Sequence, residues 1–162
     1  MKNIKDCNYT SSQYIALIFC RVLIGWHFLY EGIVKLMNPN WSAKAFLMDS
    51  NGLFKSLFFE MAQNKISLHL VDILNQWGLI LIGLGLMIGL FSRLSSILGV
   101  VMLGLFYLSH PPIIGANYLL PSEGSYLIVN KNLIELASLV VIYLFPTSQT
   151  IGVDRFIFNR YR

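Results

Sequence analysis

Arg21, His27, Glu31 and Lys35 stand in one run dominated by Ile, Leu, Val, Phe, Trp and Gly. At helical spacing all four fall within about 120° of one face. A charge near the centre of a bilayer costs at least about 2.5–3.5 kcal/mol even on the lenient insertion scale. That face must therefore look into a bundle of other helices. His27, Glu31 and Lys35 are successive i,i+4 neighbours, the spacing of a hydrogen-bonded column running towards one membrane surface. A buried carboxylate and imidazole with pKa values moved towards neutrality can exchange protons with a bound group.

Other segments supply partners at the same level. His110 ends one apolar run, and Asn130, Lys131 and Glu135 open another, with Glu135 about one turn inside. The pattern predicts an outward-facing polar pocket in which Glu31, His110 and Glu135 act as the catalytic groups. Arg21, His27, Lys35 and Lys131 bind ligand there, and Trp26, Tyr30 and Tyr107 form aromatic walls. The same residues also suit a self-satisfied ion-pair network that fixes helix register, with Arg21 or Lys35 neutralising Glu31 and Glu135. Pro111 and Pro112 stop the helix at His110, leaving its imidazole at the membrane boundary, where it can exchange protons or simply cap the helix. Haem is a poorer idea, because only His27 and His110 lie in spans and neither has a spacing diagnostic of axial ligation. No cysteine-rich or methionine-rich metal motif is present.

The elements that position these residues are membrane spans. Between Trp77 and His110 the chain is two long apolar runs broken by a Phe91-Ser92-Arg93 corner. Crossing the hydrocarbon needs roughly 20 apolar residues, so this is a helical hairpin in lipid. Charged residues are 12% and hydrophobic ones 56% of the 162-residue chain, against about 25% charged in soluble domains. The formal charge of +4 is scattered, which argues against a nucleic-acid partner. Spans are expected at about 13–36, 71–91, 94–110 and 131–145, the last short and ended by Pro146. Between the first two, an amphipathic helix within about 40–66, beginning near Asn51 and Gly52, is expected to lie in the interface and roof the bundle. Trp41, Phe46 and Trp77 suit an aromatic belt. Gly25 and Gly32, Gly78 and Gly85, and Gly85 with Gly89 offer close helix approaches.

The predicted fold is thus an all-α integral membrane protein, a four-transmembrane-helix bundle with an extra amphipathic helix in the long outer loop, forming a single domain over 1–162. Lys2, Lys5, Arg93, Arg155, Arg160 and Arg162 place both termini in the cytoplasm of a bacterial-type inner membrane, with the short Arg93 corner carrying the argument. The N-terminal run contains Arg21, His27 and Glu31 and lacks a small-residue cleavage pattern, so it reads as a retained span. Cys7 and Cys20 lie about 20 Å apart if on one helix, too far for a bridge.

With Arg21, Gly32-Ile33-Val34-Lys35, Gly89-Leu90-Phe91-Ser92-Arg93-Leu94, Lys131-Asn132-Leu133 and Gly152-Val153-Asp154, the chain resembles the DoxX/DoxD family over nearly its whole length. Asn40-Trp41-Ser42-Ala43 and His110-Pro111-Pro112 are closer to the DoxD-like side. The resemblance implies a small four-span membrane subunit of quinone-linked sulfur oxidation, of the thiosulfate:quinone oxidoreductase type, or a membrane partner of oxidative-stress enzymes.

The leading expectation is a quinone-interacting subunit of a membrane oxidoreductase, its redox group either a diffusible lipid-soluble quinone or one held by a soluble or membrane-associated partner. The alternative is a non-catalytic scaffold or assembly partner that recruits a soluble enzyme through the lid or the Arg155–Arg162 tail. Transport of a small solute is disfavoured by size and by the absence of an internal repeat, although a homo-oligomer would create a path.

Overall fold

The computed structural model describes residues 10–112, 118–119 and 127–158. Helices are α1 (Ser11–Met37), α2 (Lys44–Met48), α3 (Lys55–Gln63), α4 (Lys65–Ile88), α5 (Ser92–Ser109), α6 (Lys131–Leu144) and α7 (Asp154–Phe158), with a 3-10 turn over Thr147–Gln149. No strand occurs among the described residues. Three helices, α1, α4 and α5, are long and apolar enough to cross a membrane. Lys2, Lys5, Cys7, Arg160 and Arg162 lie outside the described residues, and Cys20 is a free thiol.

Thr10 begins α1 with a capping box, its hydroxyl accepting from the Gln13 amide while the Gln13 side chain accepts from Thr10. Helices α1 and α4 run antiparallel at very close range. A Cβ on Gly25 would sit 2.9 Å from the Met87 amide, one on Gly32 2.9 Å from the Ile80 amide, and one on Gly83 would overlap the Leu29 backbone. Only glycine permits that approach. Gly83 was not among the glycines singled out by spacing. Gly85 instead faces Ser95 on α5, and Gly78 meets nothing closer than 3.9 Å. Helix α6 packs antiparallel on α5, with Leu139 over Gly99, and the ring of four closes where α6 meets α1. Phe28, Leu79, Ile82, Leu86, Leu103, Leu139 and Ile142 form the core.

The segment between α1 and α4, the lid, departs from the sequence reading. It folds as two short helices rather than one, and the second begins at Lys55, not at Asn51 or Gly52. The amides of Asn51 and Gly52 are taken by the Ser109 carbonyl, each at 3.2 Å, and the Ser50 hydroxyl donates to the same oxygen at 3.0 Å. Three donors thus converge on a carbonyl that the end of α5 leaves without a helical partner. A Cβ at Gly52 would overlap the Leu108 carbonyl, so the chain there cannot coil into a helix with ordinary side chains. Likewise α4 starts at Lys65, well before the expected residue 71, because Asn64 caps it by accepting from the Ile66 and Ser67 amides.

At the opposite end the chain after α6 is sewn into the bundle. Gly89 ends α4 with φ of 71°. The Val153 and Asp154 amides donate to the Ile88 and Gly89 carbonyls at 3.2 and 2.9 Å, while the Asp154 carboxylate accepts from the Phe91 and Ser92 amides at 2.7 and 3.2 Å. One buried aspartate therefore satisfies the carboxyl end of α4 and the amino end of α5 together.

Candidate functional site

The sequence expectation of one polar column resolves into three separate groups. Arg21, 2% exposed, lies near the Gly89 corner, not under the lid. Its Nη1 donates to Thr147 Oγ1 at 3.0 Å and its Nη2 to the Ile151 carbonyl at 2.9 Å. The Ser92 hydroxyl meets that of Ser148 at 2.6 Å beside Asp154. Arg21 shares a helical face with His27, but six residues of helix set them about 9 Å apart in depth.

The second group is a cavity of about 390 Å³ at the lid end, between α1, α4, α5, α6 and α2. His27, Glu31 and Lys35 of α1 and Lys131 and Glu135 of α6 line it. Its walls are Phe28, Leu79, Leu103 and Phe106 from the bundle and Trp41, Ala43, Ala45 and Phe46 from the lid. Lys35 Nζ lies 3.4 Å from Glu31, as i,i+4 spacing predicts, and 5.6 and 5.9 Å from the Trp41 and Phe106 ring centres. His27 Nδ1 lies 3.4 Å from Glu135 Oε1, so the imidazole pairs across the bundle and not with Glu31 one turn above. That contact lacks hydrogen-bond geometry, and the buried Glu135 Oε1 has no hydrogen-bond partner. The lid is fixed over the cavity by Asp72 of α4, which accepts from the Ser42 hydroxyl at 3.0 Å and the Ala43 amide at 2.7 Å.

His110 belongs to a third group behind the cavity wall. Its ring stacks on Phe46 at 4.1 Å on one side and lies 4.8 Å from the Tyr118 ring. Nδ1 meets the Ser109 hydroxyl at 3.0 Å, and Nε2 lies 3.7 Å from Asp49, whose carboxylate accepts from the Leu119 amide. Burial pushes the His110 imidazole below its ordinary value, an effect that Asp49 only partly offsets. Burial likewise pushes the Tyr118 phenol up, with Asp49 adding to the rise. Phe46 separates His110 from Glu31 and Glu135, so these do not form one proton-exchanging set.

Nor are the expected aromatic walls where spacing put them. Trp26 and Tyr30 stack on each other at 6.4 Å and are 55% and 57% exposed, because they follow and precede the inward residues by a 100° step. The Tyr107 hydroxyl donates to the Ile128 carbonyl at 2.9 Å. Phe28, Phe46 and Phe106 take the wall role. Phe28 and Phe106 sit among many apolar residues without any polar mark to single them out, and Phe46 depends on how the lid folds. Among the described residues no group of three or more His, Cys, Asp or Glu side chains is placed to hold a metal ion.

The resident charges of the cavity balance. Two lysines face two glutamates, leaving the imidazole to set the sign. Such a lining does not select a strongly charged ligand; it suits a neutral ring bearing polar atoms at its edge. Comparison of the chain with models of known families, with curated proteins and with solved structures finds no match.

Proposed function

We propose that the chain is a DoxX/DoxD-like integral membrane subunit that binds a lipid-soluble quinone in the cavity beneath the lid, within or beside a membrane oxidoreductase. The observation that carries this reading is the His27–Glu135 pair, set among aromatic and aliphatic walls with the buried Glu135 Oε1 lacking a hydrogen-bond partner. A buried acceptor without a donor is costly, and the hydroxyl of the reduced, quinol form of such a ligand would donate to it, while the quinone carbonyl would accept from His27. A quinone ring fits this donor set and the 390 Å³ cavity, with His27 and Glu135 at its polar edge and Phe46, Phe106 and Trp41 against its face. When bound, that group supplies reversible two-electron, two-proton chemistry. The chain's own part is to hold the ring, exclude water through the lid, and take or give a proton at His27 Nδ1 or Glu135 Oε1. Lys35, held by Glu31 and two aromatic rings, has a positioning role.

In this reading α6 is the fourth span. At 14 residues it is about 21 Å long, short of the roughly 30 Å hydrocarbon core, so thinning or neighbouring chains must accommodate it. Leu53, Leu57, Phe59, Ile66 and Leu70, all exposed, would dip α3 and the start of α4 into the outer interface. Arg93 and Arg155 then mark the cytoplasmic side of an inner membrane.

Mass spectrometry of gently purified protein tests the proposal. A co-purifying quinone that Glu135→Gln releases supports it; protein that retains none, before or after reconstitution with quinone, overturns it. A scaffold is the second reading, favoured by the pairing of Glu31 with Lys35 and of Glu135 with His27, which lets the charges serve one another.

A further inference from the structure

The cavity beneath the lid is fastened above and loose at one side. Above, Asp72 holds the start of α2, and Ser50, Asn51 and Gly52 are all bonded to the Ser109 carbonyl. Asp49 is tied to Leu119, and Phe46 is clamped against His110 and Phe106. At the side between α1 and α6, among the described residues, stands the His27–Glu135 contact.

Those two helices are mismatched in height. His27 lies ten residues before the end of α1, about 15 Å along its axis, whereas Glu135 lies four residues after the start of α6, about 6 Å. Because the two are paired, α6 begins about 9 Å deeper than α1 ends. The outer turns of α1 therefore stand without α6 beside them. The side chains of His27 and Glu31 are 44% and 47% exposed at this edge, although both line the cavity. Below it, Leu139 and Ile142 pack into the core against Ile24 and Cys20 and shut the seam. The opening thus lies at the level of the outer leaflet, flanked by the exposed Trp26–Tyr30 stack.

We infer that the cavity is loaded from within the bilayer, through the gap between α1 and α6, by a neutral amphiphile whose polar ring reaches His27 and Glu135 while its tail stays in the gap. This deepens the proposed function and rests on its reading of the cavity as a ligand site. A tail is required by the geometry. The ring-sized space is closed at its base by Phe28, Leu79 and Leu103, so additional apolar length has only the lipid-facing side to occupy. Entry through the roof would have to break its buried hydrogen bonds, whereas lateral entry meets the His27–Glu135 contact, which lacks hydrogen-bond geometry.

Trp41 lines the cavity and provides the readout, since a bound quinone quenches indole emission. In nanodiscs, a protein with Trp41 as its single tryptophan (Trp26→Phe, Trp77→Phe) is mixed with a quinone bearing a long tail or with its tail-less, water-soluble counterpart. Saturable quenching by the tailed quinone, set by its mole fraction in the bilayer, with loss of that response for the tail-less one, is expected. In the same background, freed of Cys7 and Cys20, cysteines are placed at Val34 of α1 and Val129 just before α6, both exposed and neither lining the cavity. Joining them with a bismaleimide should abolish rapid quenching that the unjoined variant retains.

Equal quenching by both quinones, or quenching unaffected by the staple, overturns the lateral route while leaving the ligand site standing. No quenching by either quinone in the variant with an unaltered gap overturns both. The tail comparison does not depend on the stapled variant folding.

Discussion

Glu135 bears a cost that packing alone would have removed. Its buried oxygen accepts no hydrogen bond, so Glu135→Gln should leave thermal stability in detergent unchanged or raised by up to about 1 kcal/mol while ligand retention is lost. A substantial drop in stability with retention intact would assign it to the framework. His110 gives a pH prediction. Its imidazole is held below the ordinary value, so the unfolded chain takes up a proton before the folded one does. Stability present above the ordinary imidazole range is therefore lost as pH falls towards the lowered value. Thermal unfolding followed between about pH 7 and pH 5 should show this slope, and His110→Gln should flatten it. At this scale the sequence told which residues lacked a home in lipid. His27, Glu31, Lys35, Lys131 and Glu135 meet because each is an ionisable residue on an otherwise apolar helix. It could not tell level from face, which is why Arg21 shares its expected column with residues roughly two to four turns above it. Nor could it tell that Phe46 stands between His110 and the rest, since that depends on the lid.

Helix contacts were legible to the extent that hydropathy and small residues write them. The runs of α1, α4, α5 and α6 are apolar enough to announce themselves, and their ends moved only where a cap or tertiary bond intervened, as at Asn64 and Gly89. The α1–α4 contact turns on Gly83, whose Cβ would overlap the Leu29 backbone. Gly83→Ala should cost about 1–3 kcal/mol, read as a lowered unfolding midpoint, whereas Gly78→Ala, whose Cβ would rest in ordinary contact with Met102 at 3.9 Å, should cost nothing measurable. Asp154 caps from a distance, and nothing in a lone aspartate near the chain's end announces that. Asp154→Ala takes this acceptor from the part-buried Phe91 amide and the buried Ser92 amide and should cost about 2 kcal/mol or more. An unchanged unfolding midpoint would show that water replaces it.

For the whole molecule, the decisive question is how many times the chain crosses. With α6 counted, Thr10 and Gln149 share one side of the membrane and Asn51 lies on the other. Cysteines at these three positions, labelled in intact cells with an impermeant maleimide, should react at Asn51 alone. Reaction at Gln149 but not Thr10 would leave three crossings. The bundle is also tied together from its two ends in sequence. Arg21 enters the membrane in the first span, yet the Thr147 hydroxyl and Ile151 carbonyl that receive its guanidinium are synthesised after every other span. Until residues 147–151 are made, that guanidinium has neither acceptor. A chain cut short before Thr147 leaves unsatisfied a guanidinium that the native fold buries to 2% exposure.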